Sequence, residues 1–265
     1  MTEKAKNENM ACYLSQAKIN NKLPNFWMSE EYVDKARLKL VEISPLETFS
    51  FVSELSLIEN KEDTFQYFFP PYNKELNLFY EFVSCYCSFI DNETKDTSFL
   101  DYQYIYKPED FLDLSGSKWR VFRKNIKKYP EKYPGKLQYV PIIGDILQND
   151  IEDLILKWSE GRTIYDTEVF IRYVFEGENR WGLFNNGKLV GMNIFDENFY
   201  FINYRYCLDN GTPFLNEYLR YRFYTDDVIL KKKKLVNDGG SLDNEGLKRF
   251  KERLNPVYIG KVYST

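Results

Sequence analysis

None of the 265 residues is histidine. The usual proton carrier near neutral pH is therefore missing, and Ser-His-Asp triads, Cys-His dyads and HExxH zinc sites are excluded together. Proton transfer falls to Asp, Glu, Tyr, Lys, Cys, a held water or the substrate itself. The carboxylates and phenols placed to serve are Asp238 and Glu245 flanking Gly239-Gly240, Glu217, and the pair Tyr204 and Tyr206. Asp238 is the first choice, because it precedes two glycines whose missing side chains let a substrate approach the backbone closely. Asn237, Gly239, Gly240 and Tyr206 would then contact that substrate. Asn237 and Glu245 fit a second reading equally well, as caps of the last helix. The four cysteines, Cys12, Cys85, Cys87 and Cys207, match no zinc ligand spacing, so the expectation is a metal-free protein with reduced thiols.

The charges are unevenly placed. Lys and Arg total 36 against 40 Asp and Glu, a net charge of −4, which argues against a general nucleic-acid coat and against DNA as a partner. Between Lys118 and Lys136, however, stand Lys118, Arg120, Arg123, Lys124, Lys127, Lys128, Lys132 and Lys136 with Glu131 as the lone acid. Trp119, Phe122 and Ile126 recur there at helical spacing, so a basic helix docks through one apolar stripe and shows its charges on the other faces. An anion cradle and a plain solvated helix both fit that pattern.

These groups must be held by the elements around them. Residues 1–22 read as a polar tail. A helix is expected over 44–57, a strand over 64–69 ended by Pro70-Pro71, and a helix over 74–90. A strand over 99–106 and a helix starting at Pro108 follow. Beyond the basic helix come helices over 146–158 and 165–175. Asn185-Asn186-Gly187 joins two apolar runs into a β-hairpin, a third strand spans 199–207, and Pro213 opens a helix to Tyr224. A strand over 228–236, whose alternate lysines among 231–234 face solvent, a helix over 244–254 and a strand over 257–263 complete the order. This is an α/β layout in which a helix begins directly after the third strand of a meander, a place suited to phosphate binding. No span of about 18 apolar residues and no apolar leader are present, so a cytoplasmic protein that does not span a membrane is expected.

The order of elements resembles the GNAT acyltransferase fold, and local motifs narrow the likeness. Leu114-Ser115-Gly116-Ser117-Lys118-Trp119-Arg120-Val121-Phe122-Arg123-Lys124-Asn125-Ile126 resembles the L-x-G-K-K-x-x-x-K-R-N-x-I signature of the phosphatidylglycerol lysyltransferase C-terminal-like family. Tyr104-Ile105-Tyr106 with Glu109-Asp110 is similar to that family's lead-in, and the run from Asn237 to Lys251 followed by Asn255-Pro256 is similar to its N-x-E-x-x-L-G-x-x-G-L-R-x-x-K segment. The likeness covers most of residues 60 to 260. Gly239-Gly240 replaces the family's Glu and its acidic neighbours and looks like the turn of FemAB-type transferases. Asn203-Tyr204-Arg205-Tyr206 stands where the family carries a histidine.

The resemblance implies a GNAT-like mixed α/β sheet flanked by helices. It also implies two GNAT-like halves, a degenerate one over 23–113 and a transferase half over 114–265. It implies transfer of an acyl or aminoacyl group, from acyl-CoA or aminoacyl-tRNA, to an amine or hydroxyl on a small-molecule, lipid, glycan or peptide acceptor. In that reading Lys118, Arg120, Arg123, Lys124 and Lys127 hold the donor, together with Asn210, Gly211 and Thr212 at the place where GNAT proteins cradle pyrophosphate. Asp238, Glu245 and Tyr204 would be the catalytic groups. An inactive GNAT-like module that recognises a polyanionic or protein partner is the alternative.

Overall fold

The computed structural model describes residues 26, 29–35, 38–44, 48–53, 86–87, 90–91, 93, 98–144, 147–160, 167–198, 200–241 and 243–264. It divides into two units, Met1–Asp101 with Gly260–Thr265, and Tyr102–Ile259. The expected tail over 1–22 and strand over 64–69 lie outside the described residues.

In the first unit a short helix α1 (Glu30–Lys35) starts beneath Ser29, whose hydroxyl accepts the Tyr32 N–H at 3.0 Å. Strands β1 (Leu38–Ser44) and β2 (Thr48–Ser53) pair antiparallel, and β3 (Tyr86–Cys87) joins β2. The helix expected over 44–57 is thus replaced by a strand over 48–53. Thr-Phe-Ser-Phe-Val-Ser alternates with period two and is rich in aromatic and β-branched residues, and that pattern outweighs the looser helical spacing. Tyr86–Cys87 is likewise strand where a helix over 74–90 was expected; nearly all of the rest of that span lies outside the described residues.

The second unit begins inside β4 (Ser98–Tyr106) and continues through a 3-10 turn at Pro108–Phe111 into α2 (Arg120–Lys132). Next come β5 (Leu137–Pro141), α3 (Gln148–Ser159) and α4 (Thr167–Glu176). The meander is β6 (Asn179–Asn185), β7 (Lys188–Glu197) and β8 (Phe201–Asp209). Then follow α5 (Leu215–Tyr224), α6 (Asp227–Lys232), β9 (Leu235–Asn237), α7 (Glu245–Arg253) and β10 (Tyr258–Ser264), which from Gly260 onward belongs to the first unit, where Ser264 pairs with Tyr86. The sheet of the second unit runs β4-β9-β8-β7-β6-β5. Every pairing in it is antiparallel except β8 with β9, which is parallel. A parallel pair needs a crossover, and α5 and α6 supply it. The mixed sheet flanked by helices is the α/β, GNAT-like class expected from the order of elements.

Local chemistry explains the well-placed elements. Asn186 (φ 50°) and Gly187 (φ 81°) take the left-handed conformation that a two-residue hairpin turn demands at both central positions. Trp119, Phe122 and Ile126 are buried as the stripe of α2 predicts, and Phe111 stacks on Tyr224 beneath them with ring centroids 4.0 Å apart.

Two expectations change in this unit, and one strand appears where none was expected. Pro108 opens a single 3-10 turn rather than a helix. An edge strand, β5, fills 137–141, where Gln138, Val140 and Pro141 are exposed around buried Tyr139. The strand expected over 228–236 is mostly α6, because Asp226 accepts the Val228 N–H at 2.9 Å as an N-cap and Lys233 (φ 52°) ends the helix. The lysines of 231–234 therefore do not alternate along a strand; Lys232 and Lys234 both bind Glu197, at 2.8 and 3.0 Å.

One irregularity matters for side-chain placement. Ile194 pairs with Tyr206 and Phe195 with Tyr204, so Arg205 is an extra residue on β8. The bulge resets the alternation: Tyr204 packs on Phe223 of α5, whereas Tyr206 packs on Phe170 and Tyr173 of α4.

Candidate functional site

The basic helix α2 leans on α5, and the C-terminal half of α7 closes the gap between them. A pocket of about 60 Å³ opens there, lined by Lys118, Phe122, Asn125, Glu217, Phe250 and Arg253. Glu217 in the first turn of α5 accepts a hydrogen bond from the Asn125 amide at 2.9 Å. The pocket therefore pairs one half-buried carboxylate with two exposed cations, Lys118 and Arg253.

Phe250 separates this pocket from a buried charge cluster. The Arg220 guanidinium lies between the rings of Tyr204 and Phe250, 4.8 and 5.2 Å from their centroids, and donates to Asp238 Oδ2. Lys251 Nζ donates to the carbonyl of Asp238 and, at 2.7 Å, to that of Gly240, and sits 3.5 Å from Asp238 Oδ1. All three side chains are almost wholly enclosed. Burial works against the Arg220 charge, but the Asp238 carboxylate outweighs it and holds the guanidinium ionised. Burial pushes the Tyr204 and Tyr224 phenols well above their ordinary value and the Cys207 thiol up to about 12, so all three are neutral near pH 7.

The residues singled out from sequence fall in different places. Asp238 is 4% exposed and bound by Arg220 and Lys251, behind Phe250 rather than at the pocket surface. The Gly239-Gly240 turn is closed on itself: Asn237 Oδ1 accepts the Gly239 N–H at 3.0 Å, and the Gly239 carbonyl accepts the Tyr104 N–H at 3.2 Å. Asn237 also donates to Gln103 Oε1 at 2.8 Å, and Asn244 is the residue that caps α7, accepting the Leu247 N–H at 2.9 Å. Glu245 is exposed, 3.8 Å from Lys248 and 3.9 Å from Arg249. Tyr204 is buried and donates to Asn193 at 2.5 Å, while Tyr206 faces α4. Asp238 and Tyr204 are thus linked through Arg220, and neither Glu245 nor Tyr206 joins them.

Among the donor candidates, Lys118, Arg120, Lys124 and Lys127 are exposed. Arg123 instead donates to the carbonyls of Leu114 and Gly116, stapling the segment that leads into α2. Before α5 the loop consumes its own donors. Asp209 accepts the Gly211 N–H at 2.9 Å, and Asn210 Oδ1 accepts the Thr212 N–H at 3.2 Å and its hydroxyl at 2.5 Å.

Sequence reasoning missed Arg220 and Lys251 as buried groups. The signal was phase. Asn216, Leu219, Arg220 and Phe223 form one i, i+3, i+4, i+7 stripe, and Leu247, Phe250, Lys251 and Leu254 form another. It also missed a polar row on the other side of the sheet. There Asp196 accepts from Tyr173 (2.5 Å), Asn203 (2.9 Å) and, through two guanidinium nitrogens, Arg205 (2.7 and 3.1 Å).

No protein-family model and no curated protein matches the chain. Solved structures do. The structure of L-PGS from Bacillus licheniformis superimposes with a TM-score of 0.57 at 14% identity, over 97% of this chain and 90% of that one. The chain is similar in fold to L-PGS. A conserved protein of unknown function from Bacteroides thetaiotaomicron matches at TM-score 0.55 and 23% identity, over 63% of this chain and 60% of that one. The C-terminal domain of a putative lysylphosphatidylglycerol synthetase from Agrobacterium fabrum matches at TM-score 0.47 and 10% identity, over 63% and 61%. The matched region thus spans about three fifths of the Bacteroides and Agrobacterium chains. Among the described residues, no helix is long and apolar enough to cross a membrane.

Proposed function

We propose that the protein is a transferase that moves an acyl or aminoacyl group from an activated carrier to an amine or hydroxyl acceptor. The observation that carries this reading is the pocket at the foot of α2, where an accessible carboxylate, Glu217, stands among cations suited to a polyanionic carrier. The similarity in fold to L-PGS over nearly the whole chain supports it, and favours aminoacyl-tRNA as donor and a lipid as acceptor over acyl-CoA and the other acceptors.

In this mechanism Lys118, Arg120, Lys124 and Lys127 attract the phosphates of the carrier. The acceptor nitrogen or oxygen attacks the ester or thioester carbonyl, forming the new bond as the carrier's oxygen or sulfur departs. Glu217 takes the proton released by the nucleophile and returns it to the departing oxygen or sulfur, which regenerates the carboxylate; the acceptor attacks directly, so no covalent enzyme intermediate is needed. Asp238 acts one layer behind: with Arg220 and Lys251 it holds the Gly239-Gly240 turn and the base of Phe250. Among the carboxylates considered, Glu217 is favoured as proton acceptor because it lines the pocket and Asp238 does not.

The test is acceptor-dependent release of carrier by the purified chain. Lysyl-tRNA with phosphatidylglycerol vesicles is the first pair, and acetyl-CoA with a polyamine is the second. Glu217→Gln should lower turnover by about 10²-fold or more while leaving tRNA binding within twofold. Wild-type protein that binds tRNA or CoA yet discharges neither would be the inactive binding module instead.

A further inference from the structure

Asn125 is the one amide side chain of α2, a helix whose exposed positions are mostly charged. Asn lowers helix stability in a helix interior, because its amide competes for backbone groups. Its side chain is not spent on the backbone here. It reaches across to α5 and donates to Glu217 Oε1 at 2.9 Å, between residues 92 positions apart. Both residues are half-buried and both line the pocket.

Glu217 makes no ion pair within 4 Å among the described residues, and its second oxygen, Oε2, has no hydrogen-bond donor among them. That is unusual for a carboxylate set among so many cations. The charged and titratable groups around it can be named element by element. Lys118 precedes α2, and Arg253 of α7 lines the same pocket. Lys128 of α2 is engaged over the ring of Phe214, 4.9 Å from its centroid. On α5 itself stand Tyr218, Tyr221 and Arg220, the last bound to Asp238, and Asp209 of β8 is held by Asn216 at 3.2 Å. An amide, rather than a guanidinium or ammonium, is thus what grips the carboxylate. A neutral donor fixes the direction of one oxygen without pairing the carboxylate's charge with a cation.

We propose that Asn125 is the positioning residue of the transfer site: it clamps Glu217 Oε1, so that Oε2 is presented to the acceptor's departing proton. This rests on the transfer reading above.

The experiment uses the whole chain with lysyl-tRNA and phosphatidylglycerol vesicles. In Asn125→Leu, which only removes the donor, kcat should fall about tenfold while KM for the tRNA stays within twofold. Asn125→Gln, which keeps an amide donor, should restore part of the lost kcat. An active wild type whose kcat is unchanged in Asn125→Leu, or whose loss appears in KM rather than kcat, overturns the role of Asn125 alone. A wild type with no turnover on either donor overturns the transfer reading, and Asn125's part in it with it.

Discussion

Replacing Asp238 with Asn removes the one negative charge that two buried cations share. In the folded chain Arg220 and Lys251 both approach this carboxylate, the latter at 3.5 Å. At an effective dielectric of about 20, a unit pair at that separation is worth about 5 kcal/mol before desolvation. Asp238→Asn keeps the shape but leaves a guanidinium and an ammonium facing a neutral amide in an enclosed site, where loss of one partner of a buried pair typically costs about 3–5 kcal/mol. Arg220→Met should cost at least about 1 kcal/mol less, because Lys251 still neutralises Asp238 and the thioether fills the slot between Tyr204 and Phe250. The double change should fall short of the sum by about 2 kcal/mol, as expected for residues in direct contact. Urea unfolding followed by near-ultraviolet circular dichroism measures all three. If Asp238→Asn lies within about 1 kcal/mol of wild type, or if Arg220→Met is the worse of the two, the cluster does not hold the turn as described. A stable Asp238→Asn protein with turnover slowed at least about tenfold would return Asp238 to the role of direct base.

Arg120→Ala, Lys124→Ala and Lys127→Ala together should reduce the slope of log binding against log salt for tRNA by about 2–3, whereas Arg123→Ala, which loses a loop staple, should leave that slope nearly unchanged; filter binding at several salt concentrations distinguishes them. Burial raises the Glu197 carboxyl, but hydrogen bonds from Lys232 and Lys234 outweigh it and hold it below its ordinary value. The stability Glu197 contributes is therefore full above that value and is lost as pH falls through the depressed folded one. Below about pH 4.5 the urea midpoint should fall more steeply in wild type than in Glu197→Gln. Cys207, buried and with its thiol pushed up to about 12, should resist iodoacetamide at pH 8 in the native protein and react once urea is present, as read by peptide mapping.

The sequence revealed those elements whose signals are local. Asn186-Gly187 dictates its turn whatever surrounds it, and the Trp119, Phe122 and Ile126 stripe of α2 is written at helical period within one segment. A strand is expected over 228–236 because a run of four lysines conceals a six-residue helix whose stop signal is Lys233 in a left-handed conformation rather than a glycine. The site was harder, because its decisive contacts are non-local. Nothing within α2 distinguishes Asn125 from a helix-weakening accident until Glu217 is placed opposite it. Nothing within α7 separates buried Lys251 from exposed Arg249 except the phase of Leu247, Phe250 and Leu254. The two glycines mark the place of Asp238 in the sequence, but its depth behind Phe250 depends on how α7 docks.

The extra residue on β8 bears on how the chain finds its fold. A meander with simple alternation can slide by two residues and still bury apolar side chains, leaving off-register hairpins to compete with the native one. Here a slide carries Arg205 away from Asp196 and strands an unmatched charge inside the sheet, where Asp196 is 1% exposed. Wrongly aligned β7–β8 pairs should therefore dissolve rather than persist. A nascent chain emerging one strand at a time can test its alignment at this step, before α5 and β9 close over the result.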